Sequence, residues 1–226
     1  MNQGITYSVD IVLVIDATGS MDGIIDRVKD RALSFYGDLD AMMKEKSKLV
    51  DNLRLRVVVF RDFYADPPED SLQASPFFAL PDQAERFASF VRAVSANGGG
   101  DEPETALEAL AEAMRSPWST GAAKRRQVIV VWTDASAHKL EHMAGRKPRG
   151  YPENAPANFN ELTDMWEGQD IVDANARRLI VYAPDAYPWN EIGSAWENTL
   201  YFPSKAGEGL AEVDYKAILD AIAQSV

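Results

Sequence analysis

Three short runs, residues 11–15 (Ile-Val-Leu-Val-Ile), 57–60 (Val-Val-Val-Phe) and 128–132 (Val-Ile-Val-Val-Trp), are apolar at every position and rich in β-branched side chains. A strand with one wet face alternates apolar and polar residues. Strands that are apolar throughout are buried on both faces, which calls for a parallel sheet covered by helices on each side. Residues 179–182 have the same character, 200–202 give a short last strand, and 76–80 a short edge strand. Between the runs, Met21, Ile25, Val28, Ala32, Phe35, Leu39 and Met43 recur at three- and four-residue steps, and this spacing predicts one long amphipathic helix. Phe87, Phe90 and Val91 mark a second helix; Ala106, Leu107, Leu110 and Met114 mark a third, with Pro103 near its first turn. Helices are also expected over 160–176 and 211–223. Strand and helix alternate, so the expected fold class is α/β: a doubly wound, Rossmann-like, mostly parallel sheet with helices on both faces. With 226 residues, no internal repeat and no low-complexity linker, residues 1–226 read as a single domain.

Composition narrows the function classes. Lys plus Arg number 23 against 35 Asp plus Glu, a net charge of −12, so the average surface repels nucleic acid and anionic membranes. The basic stretches at 124–126 and 146–149 are too short to reverse that. The absence of cysteine excludes disulfides, thiolate metal sites and a cysteine nucleophile, and it fits a reducing compartment. No apolar run is long enough to span a bilayer, and the first ten residues lack a signal peptide's charged start and apolar centre. The expectation is a soluble, cytoplasmic protein with neither nucleic-acid nor membrane partners.

The first strand empties into Asp16-Ala17-Thr18-Gly19-Ser20. Read alone, these are ordinary turn and N-cap residues. They are also hard oxygen donors at alternate positions, placed at the carboxyl end of a strand, where open α/β sheets bind their ligands. Two further segments carry similar chemistry. The strand at 128–132 ends in Thr133-Asp134, and residues 97–105 (Asn-Gly-Gly-Gly-Asp-Glu-Pro-Glu-Thr) join two helices through a glycine-rich, acidic turn. Asp101 alone reads as an N-cap and Glu104 as an acid complementing a helix dipole. Together, the three segments put oxygen ligands on three loops at one edge of one sheet.

In this order the three motifs resemble the von Willebrand factor A domain family with its metal-ion-dependent adhesion site, and the likeness in element order covers nearly the whole sequence. Asp16, Thr18 and Ser20 match the family's Asp-x-Ser/Thr-x-Ser loop, and Asp134 in Trp-Thr-Asp-Ala matches its third-loop aspartate. The second loop departs from the usual threonine after paired glycines. Its Asp101-Glu102-Pro103-Glu104 is similar to the Asp-x-Pro-Glu in the A domains of integrin β subunits, in which the glutamate reaches the metal, and to a motif of some intracellular A domains. Asp101 and Glu104 therefore stand as alternatives for the second-loop ligand. The resemblance implies a non-enzymatic, metal-dependent adaptor domain holding Mg²⁺, with Mn²⁺ or Ca²⁺ as alternatives. An Asp or Glu from another protein completes the ion's coordination, and the resemblance makes an ATPase or kinase in the same assembly an expected partner. Asp62, after the strand at 57–60, reads either as tuning the site from behind its ligands or as a turn residue or ion pair with Arg61. His138 is placed on the site's rim.

Rival readings rest on single motifs. His138-Lys139-Leu140-Glu141-His142 matches His-x-x-Glu-His, the inverted zinc-peptidase signature, with Glu141 as base if both histidines share a helix face. Asp16 as a phosphoryl-accepting nucleophile lacks the second aspartate, replaced here by Thr18, and no P-loop or Gly-x-Ser-x-Gly is present. A purely structural domain with a vestigial metal site is the third alternative, with Trp118, Trp166, Trp189 and Trp196 either in the core or at an apolar interface.

Overall fold

The computed structural model describes residues 7–46, 50–143, 147–168, 170–204 and 219–220. In sequence order the elements are β1 (Tyr7–Asp16), a 3-10 turn (Gly19–Gly23), α1 (Ile25–Glu45), β2 (Asn52–Phe60), α2 (Pro68–Ser71), β3 (Leu72–Ala74) and β4 (Phe78–Leu80). There follow α3 (Ala84–Ala93), α4 (Ala106–Met114), β5 (Lys124–Trp132), α5 (Leu140–Met143), α6 (Phe159–Glu167), β6 (Arg177–Pro184), α7 (Trp189–Ala195) and β7 (Thr199–Ser204). Among the described residues they form one sheet in the order β3-β2-β1-β5-β6-β7, with β4 also paired to β2. The pairs β1–β2, β1–β5, β5–β6 and β6–β7 are parallel, and the short β3 and β4 run antiparallel to β2. The fold is thus the doubly wound α/β architecture expected from the all-apolar runs.

Alternate residues of each central strand feed two cores. Val9, Ile11, Leu13 and Ile15 of β1 pack with the apolar stripe of α1 (Val28, Ala32, Phe35, Leu39) and with α3. Val12 and Val14 face the other way, toward α4, α6 and α7. Trp166, Trp189 and Trp196 are buried in this second core and Trp118 is half-buried against it, so the tryptophans serve packing.

Topology decides where ligands can sit. The backbone leaves β1 for β2 on one side and later returns to β5 on the other, so connections diverge between β1 and β5 and leave a crevice at the carboxyl ends of those strands. Register places Ile15 beside Trp132 and Asp16 beside Phe60. Asp16 and the residues just past Trp132 therefore flank that crevice.

Three boundaries differ from those expected. Regular helix begins at Ile25, because residues 19–23 wind tighter: Met21 N bonds to Thr18 O (3.1 Å) and Ile24 N to Met21 O (2.9 Å). The third helix begins at Ala106, so Asp101 does not cap it and Glu104 lies before its first turn. The helix expected over 160–176 ends at Glu167. Asn158 caps its start by accepting from Glu161 N (2.8 Å), and at its end a side chain on Gly168 would meet Asp164 O at 2.6 Å. The helix expected over 211–223 lies outside the described residues apart from 219–220.

Phe35 is fully buried between α1 and the sheet. Phe35→Ala is expected to lower unfolding free energy by about 3–5 kcal/mol, read from the urea midpoint with an unchanged slope. Lys44→Ala, which breaks only an exposed pair with Asp40, should leave the midpoint in place.

Candidate functional site

The first loop is built inward from β1. Asp16, the last residue of β1, is fully buried. Its Oδ1 accepts from Thr18 N (2.9 Å) and Thr18 Oγ1 (2.7 Å), and its Oδ2 accepts from Thr133 Oγ1 (2.6 Å). Thr18 Oγ1 and Ser20 Oγ lie 3.0 Å apart, and Ser20 Oγ donates to Asp134 Oδ1 (2.9 Å). Asp16, Thr18, Ser20 and Asp134 thus form one hydrogen-bonded network spanning the β1–β5 crevice. Thr133, at the exit of β5, helps orient Asp16.

The second loop closes over this network. Gly98, Gly99 and Gly100 all have positive φ, the left-handed region open to glycine. A Cβ on Gly99 would lie 2.6 Å from Thr18 Cβ and 2.9 Å from Glu104 Oε1, so the absence of a side chain lets the loop pass between them. Gly19 N donates to Gly98 O (2.9 Å) and Asn97 N to Ala17 O (3.0 Å), which stitches the two loops together. Glu104 is held by its backbone: its N donates to Ser136 O (3.0 Å), and its O accepts from His138 N (2.9 Å). Glu104 is only 3% exposed, and its Oε2 has no hydrogen-bond partner among the described residues. Asp101, by contrast, is exposed.

Behind these loops lies a further polar layer. Asp62 Oδ1 accepts from Thr105 Oγ1 (2.7 Å) and Tyr64 N (3.1 Å), and His138 Nε2 stands 3.3 Å from the same oxygen. Asp66 Oδ2 accepts from Gly99 N (2.9 Å) and Asp62 N (3.1 Å). Glu108, buried on α4, accepts from Tyr151 Oη (2.5 Å). Arg61 does not pair with Asp62; its guanidinium is buried and turned to backbone carbonyls. Tyr151 did not stand out in the sequence, and Arg61 did so only as the neighbour of Asp62. The one further signal for Arg61 was a cationic residue directly after the apolar run at 57–60.

The electrostatics are one-sided. Burial, opposed by its three hydrogen bonds, raises the Asp16 carboxyl from its ordinary 3.8 to about 6. Burial first, and then the carboxylates of Asp16, Asp62, Asp66 and Asp134, push Glu104 up to about 9. Asp134 and Glu108 are also raised, chiefly by burial. A bound cation would answer this accumulation of unbalanced carboxyl oxygen. Among the described residues no three histidine or carboxylate side chains gather closely enough to hold an ion by themselves, so a cation here would also need the neighbouring hydroxyls of Thr18 and Ser20. The histidine motif has no matching geometry: His138 precedes α5, which begins at Leu140, so it does not share a helix with His142.

Comparison with known proteins bears on the family and the fold. The profile of the von Willebrand factor A domain matches residues 10–145. The alpha-protein kinase vwkA of Dictyostelium discoideum is 25% identical over 169 residues, which cover 74% of the present sequence and 24% of that relative; the match thus spans about a quarter of the relative's length. Among solved structures, the pilus adhesin SpaC of Lactobacillus rhamnosus GG superposes with a TM-score of 0.60 at 10% identity, over 98% of the present sequence and 31% of the adhesin. The vWF domain of the type V pili tip protein Mfa5 of Porphyromonas gingivalis gives 0.57 at 12% identity, over 99% and 97%. At such identities the structural likeness establishes the fold.

Asp16 and Glu104 keep protons in the folded state that an unfolded chain, with ordinary carboxyls near 4, has released. Between about pH 4 and pH 9 the folded state therefore binds more protons, and raising the pH through that window lowers stability. In the presence of a chelator the melting temperature is expected to fall across this window. Glu104→Gln should flatten the upper part of the decline. A flat wild-type profile would contradict the burial of these carboxyls.

Proposed function

The protein belongs to the von Willebrand factor A domain family, and we propose that Asp16, Thr18, Ser20, Glu104 and Asp134 together hold one divalent cation, Mg²⁺, for binding another protein. The observation that carries this reading is the Glu104 carboxyl, buried with no partner for Oε2 among the described residues and pushed up by burial and by the charges of Asp16, Asp62, Asp66 and Asp134. All the donors are oxygen, which suits Mg²⁺ and, with looser geometry, Mn²⁺ or Ca²⁺. Glu104 is the second-loop ligand in preference to Asp101, because Glu104 is buried against Thr18 and Gly99 while Asp101 faces solvent.

When bound, the ion supplies an electron-poor position that accepts a carboxylate oxygen from an Asp or Glu of the partner. The residues of the protein prepare that position. Thr18 and Ser20 offer neutral hydroxyl oxygens, which leave the charge of the ion largely unspent. Thr133 and the Thr18 amide fix the orientation of Asp16. Asp62 stands behind the loops, bonded to Thr105 next to Glu104, and His138 borders Asp62 on the rim.

The domain acts as an adaptor and carries no catalytic residue of its own. A kinase or ATPase in the same assembly is the proposed setting, supported by the relation to a protein named as an alpha-protein kinase. A cytoplasmic location is proposed from the cysteine-free composition.

Calorimetric titration with Mg²⁺ is expected to give one site. Ser20→Ala and Glu104→Ala should each weaken it by about tenfold or more, and Asp101→Ala should leave it unchanged. If Asp101→Ala weakens binding and Glu104→Ala does not, the ligand assignment is reversed. Affinity capture with Mg²⁺, with chelator and with Asp16→Ala should lose the partner in the last two. An identical partner set in all three would reject metal-dependent binding.

A further inference from the structure

Arg61 leaves the end of β2 and is 6% exposed, yet all three acceptors of its guanidinium are backbone carbonyls. Its Nε donates to Ala17 O (3.0 Å), Nη1 to Asp70 O (2.8 Å) and Nη2 to Ser95 O (2.8 Å). The guanidinium is a rigid planar fork, so three such bonds fix three backbone segments relative to one another. Two of those segments belong to the candidate site. Ala17 follows Asp16 directly, and Ser95 opens the stretch that leads through Gly98 and Gly99 to Glu104. The backbone of Arg61 adds to the junction: its N donates to Ser71 O (2.9 Å), and its O accepts from Thr105 N (3.3 Å), next to Glu104.

Burying a cation against neutral acceptors is costly. If Arg61 only filled space, an apolar side chain would do so without that cost, and a lysine could not reach three diverging carbonyls. Given the cation proposed for these loops, we infer that Arg61 is the positioning residue of the site. It touches no ligand oxygen, and it sets the loop at residues 16–20 and the loop at 98–104 at the separation that one ion requires.

Arg56 provides a matched control on the same strand. It is also a buried guanidinium, bonded to Ser75 O (2.9 Å), Ser116 Oγ (2.6 Å) and Glu112 Oε1 (2.6 Å), away from the metal loops. The test is Mg²⁺ calorimetry on the 226-residue protein for wild type, Arg61→Lys and Arg56→Lys, each also combined with Glu104→Gln, with melting temperatures measured alongside. Arg61→Lys is expected to weaken Mg²⁺ about tenfold or more and Arg56→Lys by less than about twofold. The Arg61→Lys loss should shrink below about threefold once Glu104→Gln removes the second-loop ligand, because loop spacing then no longer matters. If Arg61→Lys does not fold, Arg61→Gln takes its place. The inference is overturned if wild type binds Mg²⁺ and Arg61→Lys binds equally well. It is also overturned if Arg56→Lys loses as much affinity, or if the Arg61 loss is undiminished beside Glu104→Gln. Wild type that binds no Mg²⁺ overturns the cation site itself, and the role of Arg61 with it.

Discussion

Taking a carboxylate out of water costs several kcal/mol unless something answers its charge, and this fold takes Asp16, Glu104 and Glu108 out of water together. Asp16 is answered in part by two threonine hydroxyls and an amide, and Glu108 by the Tyr151 phenol. Glu104 is answered least, with one oxygen left without a hydrogen-bond partner among the described residues. The glycine run, the tight turn before α1 and the bridge between Glu104 and Ala137 are the means by which the fold tolerates this concentration of acid at one end of a sheet. Such a site holds its acidic groups against their preference for water, which is what the proposed cation-dependent binding would draw on.

The sheet makes that concentration possible. With β1 central and parallel to both neighbours, the carboxyl ends of β1, β2 and β5 all point to the same edge, and the loops that follow them cannot avoid meeting. Helices on both faces exclude water from the strand ends, which raises Asp16 and sharpens every interaction between the loops. Arg61 lies where β2 joins this edge and gives it a rigid brace made of backbone acceptors.

Much of this was legible in the sequence, for physical reasons. Runs that are apolar on both faces have few folds open to them, so the doubly wound sheet followed from residues 11–15, 57–60 and 128–132. The strand-end oxygens of Asp16, Thr18, Ser20 and Asp134 were equally visible, because strand ends fix where side chains point. The second loop was not. Asp101 and Glu104 differ in burial only through the path of the glycine run and the pairing of Glu104 with Ala137, and both depend on positive-φ backbone and contacts distant in sequence. Arg61 stood out in the sequence only as an ion-pair partner for Asp62, one alternative among three. Its actual acceptors, the carbonyls of residues 17, 70 and 95, come from three separate segments that only folding brings together.

The most direct measurement is the number of protons released when Mg²⁺ binds at pH 7, obtained by calorimetry in two buffers of different ionisation enthalpy. With Glu104 near 9 and Asp16 near 6, the ion-free site carries a proton on Glu104 that a ligating carboxylate must give up. The expected result is about one proton released per ion bound. Binding with no proton release would contradict the claim that an unanswered, buried glutamate prepares this site for its cation.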